Sequence, residues 1–354
     1  MSEVILKVTL MDIARELNIT AATVSRALNN HPAIKESTKK TVREAALKLK
    51  YQPNIIASSL RLGKSNIIGV IIPSAEINFF GSVIHGIEKV ANENNYNVLI
   101  YQSNELYEYE KRGVQTFLQS QVDGVLASIS KETINLDHYS EIKRRGVPLI
   151  LFDRAIDTLG VSSVVVDDFA GAFEATKHLI SQGCSRIAHI GGQQHVSIFN
   201  QRLKGYVHAL NVYGIPVDDD LIVYGKVSIE SGRDCTKKLL SISAPPDAIF
   251  AVEDFTALGA MQAIKAVNKI IPDEIAIIGF ANEPFGEYIT PSLSTVNQQT
   301  VRMGEEAANL FFDSLDNKNS KNLAPRKLVL EPELICRQSS KKYLNFKTGF
   351  TLKN

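Results

Sequence analysis

The stretch VTLMDIARELNITAATVSRALNN, residues 8–30, decides how the head of this chain is read. Ile13, Ala14 and Leu17 fall at helical spacing, and Asn18 is a residue type that accepts the left-handed turn closing a helix. Thr20 can then cap a second helix. Its inward face would be Val24 and Leu28, one turn apart, leaving Ala21, Ala22, Ser25 and Arg26 on the opposite face. A third helix is expected from about Ser37, with Val42, Ala46 and Leu49 inside and Lys39, Lys40, Arg43 and Lys48 outside. Two helices joined by a tight turn and braced by a third describe a helix-turn-helix, whose second helix enters a major groove. The pattern alone equally suits a small solvated three-helix cap.

Charge separates the two readings. Residues 1–64 hold 11 Lys and Arg against 5 Asp and Glu, a formal +6, while the remainder holds 28 against 33, a formal −5. The near-neutral whole hides a basic head on an acidic body. A phosphate backbone is the partner such a head fits, because Lys and Arg release condensed counterions there and helix N-termini add neutral contacts.

The segment YQPNIIASSLRLGKSN, residues 51–66, follows. Pro53 breaks the third helix, Asn54 can cap a new turn, and Ile55 to Leu60 suit one short helix ahead of Gly63. Helices shorter than about 12 residues are marginal in water, so this one forms only against a partner. From Asn66 onward, buried strands alternate with amphipathic helices: IIGVIIP, FFGSVIHGIEKVANENN, YNVLIYQS and EKRGVQTFLQSQ begin one series. RIAHIGG, QRLKGYVHALNVYG, AIFAV and IAIIGFA belong to a second. The succession implies parallel sheets wrapped by helices, in two similar lobes with a ligand cleft between them.

The common catalytic signatures are missing. IGGQQH has glycines after a strand but no GxGxxG, and neither a phosphate loop nor a GxSxG elbow occurs. His189 and His195 lack a partner ligand motif, VDDD at 217–220 suits an acidic loop, and Cys184, Cys235 and Cys336 have no metal-ligand or CxxC spacing. No enzyme, metal or cofactor is expected. A basic-then-apolar leader and a run of about 20 apolar residues are both missing, which points to the cytoplasm.

The head motif ending in TVSRALN, followed by YQPN, and the ordered runs VPLILFDR, HLISQGCSRIAHIGG, FAVEDFTALGAMQAI, IPDEIAIIGF and PSLSTVNQ together resemble the lactose-repressor (LacI/GalR) family of bacterial transcription regulators over about residues 8–338. The resemblance implies an all-α head at 1–52, a hinge helix and linker at 53–65, and a two-lobed α/β body at 66–340 like a periplasmic sugar-binding protein. The tail is 341–354. It places three crossovers near Ser163, Leu293 and Pro325, giving a first lobe of about 66–162 and 293–324 and a second of about 163–292 and 325–340. It implies base contacts from Ala21, Ala22 and Arg26, with Thr9, Thr20, Thr23 and Asn29 steadying the DNA backbone. Leu60 becomes a wedge in the minor groove, and Ala57 permits close approach. The partners it implies are a homodimer's second copy, a pseudopalindromic operator and a small molecule, in this family most often a carbohydrate.

For the cleft the resemblance implies Phe79 and Phe80, Asp153, and Arg202. The same comparison marks three departures: Glu253 where an amide is frequent, Ala281 where an aspartate is frequent, and Val227 where an aromatic is frequent. Phe79 and Phe80 equally suit a core, and Asp153 with Arg202 equally suits an interlobe salt bridge. A solute-binding protein of a transport system shares the two-lobed body, but it has no use for a basic helix-turn-helix, so the head favours a regulator.

Overall fold

The computed structural model describes residues 8–51, 64–316 and 324–342. The chain divides into two compact units, Met1–Ser65 and Asn66–Asn354. In the first, α1 (Leu10–Glu16), α2 (Ala21–Leu28) and α3 (Glu36–Lys48) surround a core of Ile13, Val24, Ala27 and Val42. Asn18 turns α1 into α2 with φ 51°, and the Ile19 N–H returns to the Ala14 carbonyl at 3.0 Å. Thr20 caps α2 through its Oγ1, which accepts the Thr23 N–H at 3.1 Å.

Two side chains expected outside lie inside. Ser25 is buried beside Val24 and Ala27 on the inner face of α2, against which Leu28 also packs as expected. Lys39 is buried too, and its ammonium reaches Glu36 at 2.6 Å.

The second unit is built from two parallel sheets. The first contains β1 (Ile67–Ile72), β2 (Asn97–Gln102), β3 (Gly124–Ala127), β4 (Leu149–Phe152), β5 (Ser162–Val166) and β11 (Lys327–Leu330), in the order β11-β5-β4-β3-β1-β2. The second contains β6 (Ile187–Gly191), β7 (Ile222–Tyr224), β8 (Ala248–Ala251) and β9 (Ala276–Ile278), in the order β7-β6-β8-β9. β10 (Thr295–Asn297) and β12 (Glu333–Ile335) run antiparallel to each other.

Helices cover both sheets: α4 (Asn78–Glu93), α5 (Tyr107–Gln119), α6 (Asp137–Arg144) and α12 (Thr300–Asp316) on the first lobe, and α7 (Asp168–Ser181), α8 (Ser197–Val212), α9 (Ile229–Ser241), α10 (Asp254–Ala266) and α11 (Phe285–Tyr288) on the second. α4 and α12 pack so closely that a Cβ at Gly86 would collide with the Val301 carbonyl, and one at Gly304 with the Val83 carbonyl. Strands β1, β3, β4, β6, β8 and β9 are buried and read as apolar runs, whereas the edge strands β2, β7 and β11 leave side chains such as Leu99, Ile100 and Val329 exposed.

The crossovers differ from the expected positions at two of three places. Ser163 lies in the first sheet, paired with Leu151 on one side and Lys327 on the other. The chain leaves the first lobe only after β5. Residues 325–340 do not pass as a block to the second lobe: Lys327–Leu330 extends the first sheet beside β5, and the crossing follows in β12. The reason is hydrogen bonding, since β5 would otherwise present an unpaired edge that β11 satisfies. The remaining crossing runs through β10, just past Leu293, which packs in the second lobe.

Candidate functional site

In the head, Thr9, Thr20, Ala22, Arg26 and Asn29 are exposed, and Ala21 and Thr23 are half-buried. The Asp12 carboxylate accepts both the Thr9 N–H at 2.9 Å and its hydroxyl at 2.7 Å, closing the start of α1. Asn29 donates to the Ser25 carbonyl at 2.8 Å and finishes α2. α2 therefore presents a small-residue face on which the Arg26 guanidinium makes no hydrogen bond or ion pair among the described residues, behind an N-terminus whose Thr23 N–H alone is capped by Thr20. Such a face lets a helix approach base edges closely while its N-terminus meets phosphate. Ala57 and Leu60 lie outside the described residues.

In the body, the structure brings Phe79, Phe80, Asp153, Arg202, Val227, Glu253 and Ala281 to the wall of one cavity of about 350 Å³ between the lobes. Phe79 and Phe80 open α4 with rings edge-to-face at 5.0 Å. They are both core and wall, being almost fully buried in the central apolar cluster while lining the cavity. Val227 packs with Val196, Phe199 and Val252. Ala281 has φ 130°, a strained value for a side chain, held by its N–H bond to the Val296 carbonyl at 2.9 Å.

Asp153 and Arg202 do not form a salt bridge. Arg202 donates through Nε to Asp168 at 2.7 Å, through Nη1 to the Val252 carbonyl at 2.7 Å, and through Nη2 to Gln298 at 3.3 Å. Its guanidinium lies 3.7 Å from the centre of the Phe280 ring, a stacking that aims it at the strand ends of its own lobe. Asp153 instead accepts from Ser128 Oγ at 3.1 Å and sits 3.8 Å from Arg154 Nε. Burial pushes its carboxyl up, against the pull of Arg154.

Glu253 also differs from a simple ligand-facing carboxylate. It is the N-cap of α10, accepting the Phe255 N–H at 2.9 Å, the Thr256 N–H at 2.6 Å and the Thr256 hydroxyl at 2.8 Å. Burial still raises its pKa.

Four residues of this region escaped sequence reasoning: Lys131, Arg154, Asp168 and Glu283. Arg154 pairs with Glu105 at 2.7 Å and Lys131 with the same carboxylate at 3.3 Å. Burial opposes the charge on Glu105, yet Arg154 and Lys131 hold it below its ordinary value. Burial, with Arg154 beside it, lowers Lys131. Glu283 is raised by burial, although the Phe79 backbone N–H partly offsets this, so a carboxylate of the second lobe meets the start of a first-lobe helix. None of these four belongs to a local motif that could have announced its partner.

The two histidines have structural partners. His189 Nδ1 meets the Phe250 carbonyl at 3.0 Å, and His195 Nε2 meets the Lys131 carbonyl at 2.8 Å across the cleft. Among the described residues no group of His, Cys, Asp and Glu is placed to hold a metal ion, and no helix is long and apolar enough to cross a membrane.

Comparison with known proteins agrees with both halves of this geometry. Residues 9–54 match the profile of bacterial regulatory proteins of the lacI family, and residues 176–340 match a periplasmic binding protein-like domain. A probable HTH-type transcriptional repressor, ExuR of Bacillus subtilis (strain 168), is 33% identical over 336 residues, covering 94% of this chain and 98% of its own length. The chain belongs to the lacI family.

As a lacI-family member it is a DNA-binding transcription regulator, and its relatives are regulators rather than enzymes. The structure of the transcriptional regulator CelR–cellobiose complex aligns with a TM-score of 0.71 at 27% identity, covering 94% of this chain and all of that one. The lac repressor dimer bound to operator and the anti-inducer ONPF, at 23% identity and a TM-score of 0.84 over 95% of this chain and 99% of that one, shares the fold.

Proposed function

We propose that this lacI-family regulator is a repressor. In this reading it binds a pseudopalindromic operator as a homodimer in the cytoplasm, and a sugar or sugar derivative held between the lobes controls its affinity for DNA. The observation that carries the reading is the combination in one chain of a basic helix-turn-helix with a cavity whose wall is supplied by both lobes. A ligand touching both lobes prefers one lobe arrangement, and only such a preference can shift an equilibrium. The bound cellobiose of the CelR structure supports a carbohydrate. Ala21, Ala22 and Arg26 read bases, while Thr9, Thr20, Thr23 and Asn29 fix register on the phosphates. Ala57 and Leu60 act in the minor groove, and the seven cavity residues face the effector. The protein catalyses no reaction, and it is no transport receptor, since that role leaves the head without a task.

The test is operator selection from genomic fragments followed by anisotropy titrations with and without candidate sugars. A symmetric footprint, steep loss of affinity with salt and a sugar-dependent change in affinity are expected. A footprint of one monomer, or equal affinity for random duplex, overturns the reading.

A further inference from the structure

The charges around the cavity do not balance, and the imbalance has a direction. Its three cations are committed. Arg202 spends its donors on Asp168, Val252 and Gln298, while Arg154 and Lys131 share Glu105, with Asp153 close to Arg154. Three carboxylates thus answer three cations. Four more carboxylates line the cavity, Glu76, Glu230, Glu253 and Glu283, and none of them forms an ion pair with a cation among the described residues.

The surplus is arranged by depth and by lobe. Glu76 and Glu230 are exposed at the mouth, while Glu253 and Glu283 stand deeper, on the second lobe, and Glu283 is only 4% exposed. Glu253 and Glu283 lie close enough that the charge of the first raises the pKa of the second. Glu253 leans on the N–H groups and the Thr256 hydroxyl at the start of α10 and on the more distant charges of Arg202 and Lys131, and Glu283 on the Phe79 N–H, but neither forms an ion pair among the described residues. On the first lobe, Asp153 is 7% exposed and uses only Oδ2, so that Oδ1 takes no hydrogen bond from any described residue.

Buried carboxylates without cations are unfavourable, and acceptors left without donors cost more than acceptors satisfied. A ligand bearing carboxylate or phosphate adds like charge to this wall. A neutral sugar satisfies acceptors but leaves the charge. We propose that the effector carries a protonated amine, as an amino sugar does, with the ammonium set against Glu253 and Glu283 and a hydroxyl donated to Asp153 Oδ1. The mouth carboxylates Glu76 and Glu230 then draw the cation in. The assignment rests on the carbohydrate reading of this cavity.

The experiment uses the full-length protein and sets of sugars matched in stereochemistry but differing in charge: glucosamine, N-acetylglucosamine, glucose, glucuronate and glucose 6-phosphate, with the galacto and manno counterparts. Thermal shift identifies binders, and calorimetry ranks them. An amino sugar is expected to bind about tenfold or more tighter than its acetylated counterpart, the scale of one charge-assisted hydrogen bond. Glu283→Gln should erase that preference. Glu230→Gln, at an exposed position where folding is not at stake, should weaken the amine several-fold more than it weakens neutral sugars and reduce the salt dependence of amine binding.

A neutral or acidic sugar binding as tightly as its amine overturns the assignment of charge but leaves the carbohydrate reading standing. An amine preference untouched by both substitutions overturns it as well. If no sugar of any class stabilises the protein, the carbohydrate reading fails, and the amine assignment with it.

Discussion

Arg202 Nε lies 2.7 Å from Asp168 Oδ1, and the pair ties two crossovers to the second lobe. Asp168 is the first residue of α7, directly after the chain leaves the first sheet, and Gln298, held by the same guanidinium, follows β10. Removing the guanidinium strands a buried carboxylate, whose pKa burial already pushes to about 6. Arg202→Ala should therefore cost about 3–5 kcal/mol of body stability, read as a large fall in the thermal unfolding midpoint. Asp153→Ala, which loses one hydroxyl–carboxylate hydrogen bond and a distant ion pair, should cost less, about 1.5–3 kcal/mol, and report on ligand affinity more cleanly. Equal stability of Arg202→Ala and the parent would show that the pair does not brace the crossovers.

Asp254 supplies a test in pH. Its Oδ1 accepts the Thr295 hydroxyl at 2.7 Å and its Oδ2 the Glu283 N–H at 2.7 Å, yet burial outweighs both and pushes the carboxyl up to about 7. Between the ordinary 3.8 and that value the folded chain holds a proton the unfolded chain has lost. This carboxyl's contribution to stability therefore falls as pH rises from about 4 to about 7 and is flat above. Asp254→Asn keeps both contacts, its amide oxygen accepting from Glu283 and its amide nitrogen donating to Thr295. Urea unfolding of parent and variant across this range should show the difference widening toward neutrality in favour of Asn. A constant difference would place Asp254 outside the linkage.

The head separates base readers from phosphate binders. Arg26→Ala should reduce discrimination between operator and mismatched duplex by about 1–3 kcal/mol, whereas Lys40→Ala should weaken all duplexes alike and lower the salt slope by about one. Thr20→Ala should cost the head about 1 kcal/mol through its lost cap. Anisotropy titrations at several salt concentrations distinguish these outcomes. Identical losses on every sequence for Arg26→Ala would remove it from the base-reading role.

Leu60→Gly tests the hinge. The variant should bind operator weakly and fail to bend it, while the body unfolds at the parent temperature and binds effector as before. Parent-like bending would end the wedge assignment.

Glu253→Gln tests a carboxylate with two tasks. A glutamine oxygen keeps the Thr256 contacts, but its amide NH2 cannot accept the Phe255 N–H, so stability should fall by about 1–2 kcal/mol, while the ranking of charged against neutral ligands shifts. A large stability loss with unchanged ranking would mean that Glu253 serves the helix alone.

How much was legible follows from the range of the forces involved. The head, the alternation of strands and helices and the two-lobed body rest on periodicity and capping, which are written within a few residues of each other, as in the Thr20 cap and Val24 beneath it. The cavity residues came from resemblance, not from periodicity. The tertiary structure decided what those residues do, because their partners lie far along the chain. Asp168 rather than Asp153 takes Arg202, the first sheet rather than the second takes Lys327–Leu330, and a helix N-terminus takes Glu253. Charge totals were visible in the sequence from the start. Which carboxylates meet no cation became visible only once the strands had brought them to one wall, since an ion pair depends on distance in space and not along the chain.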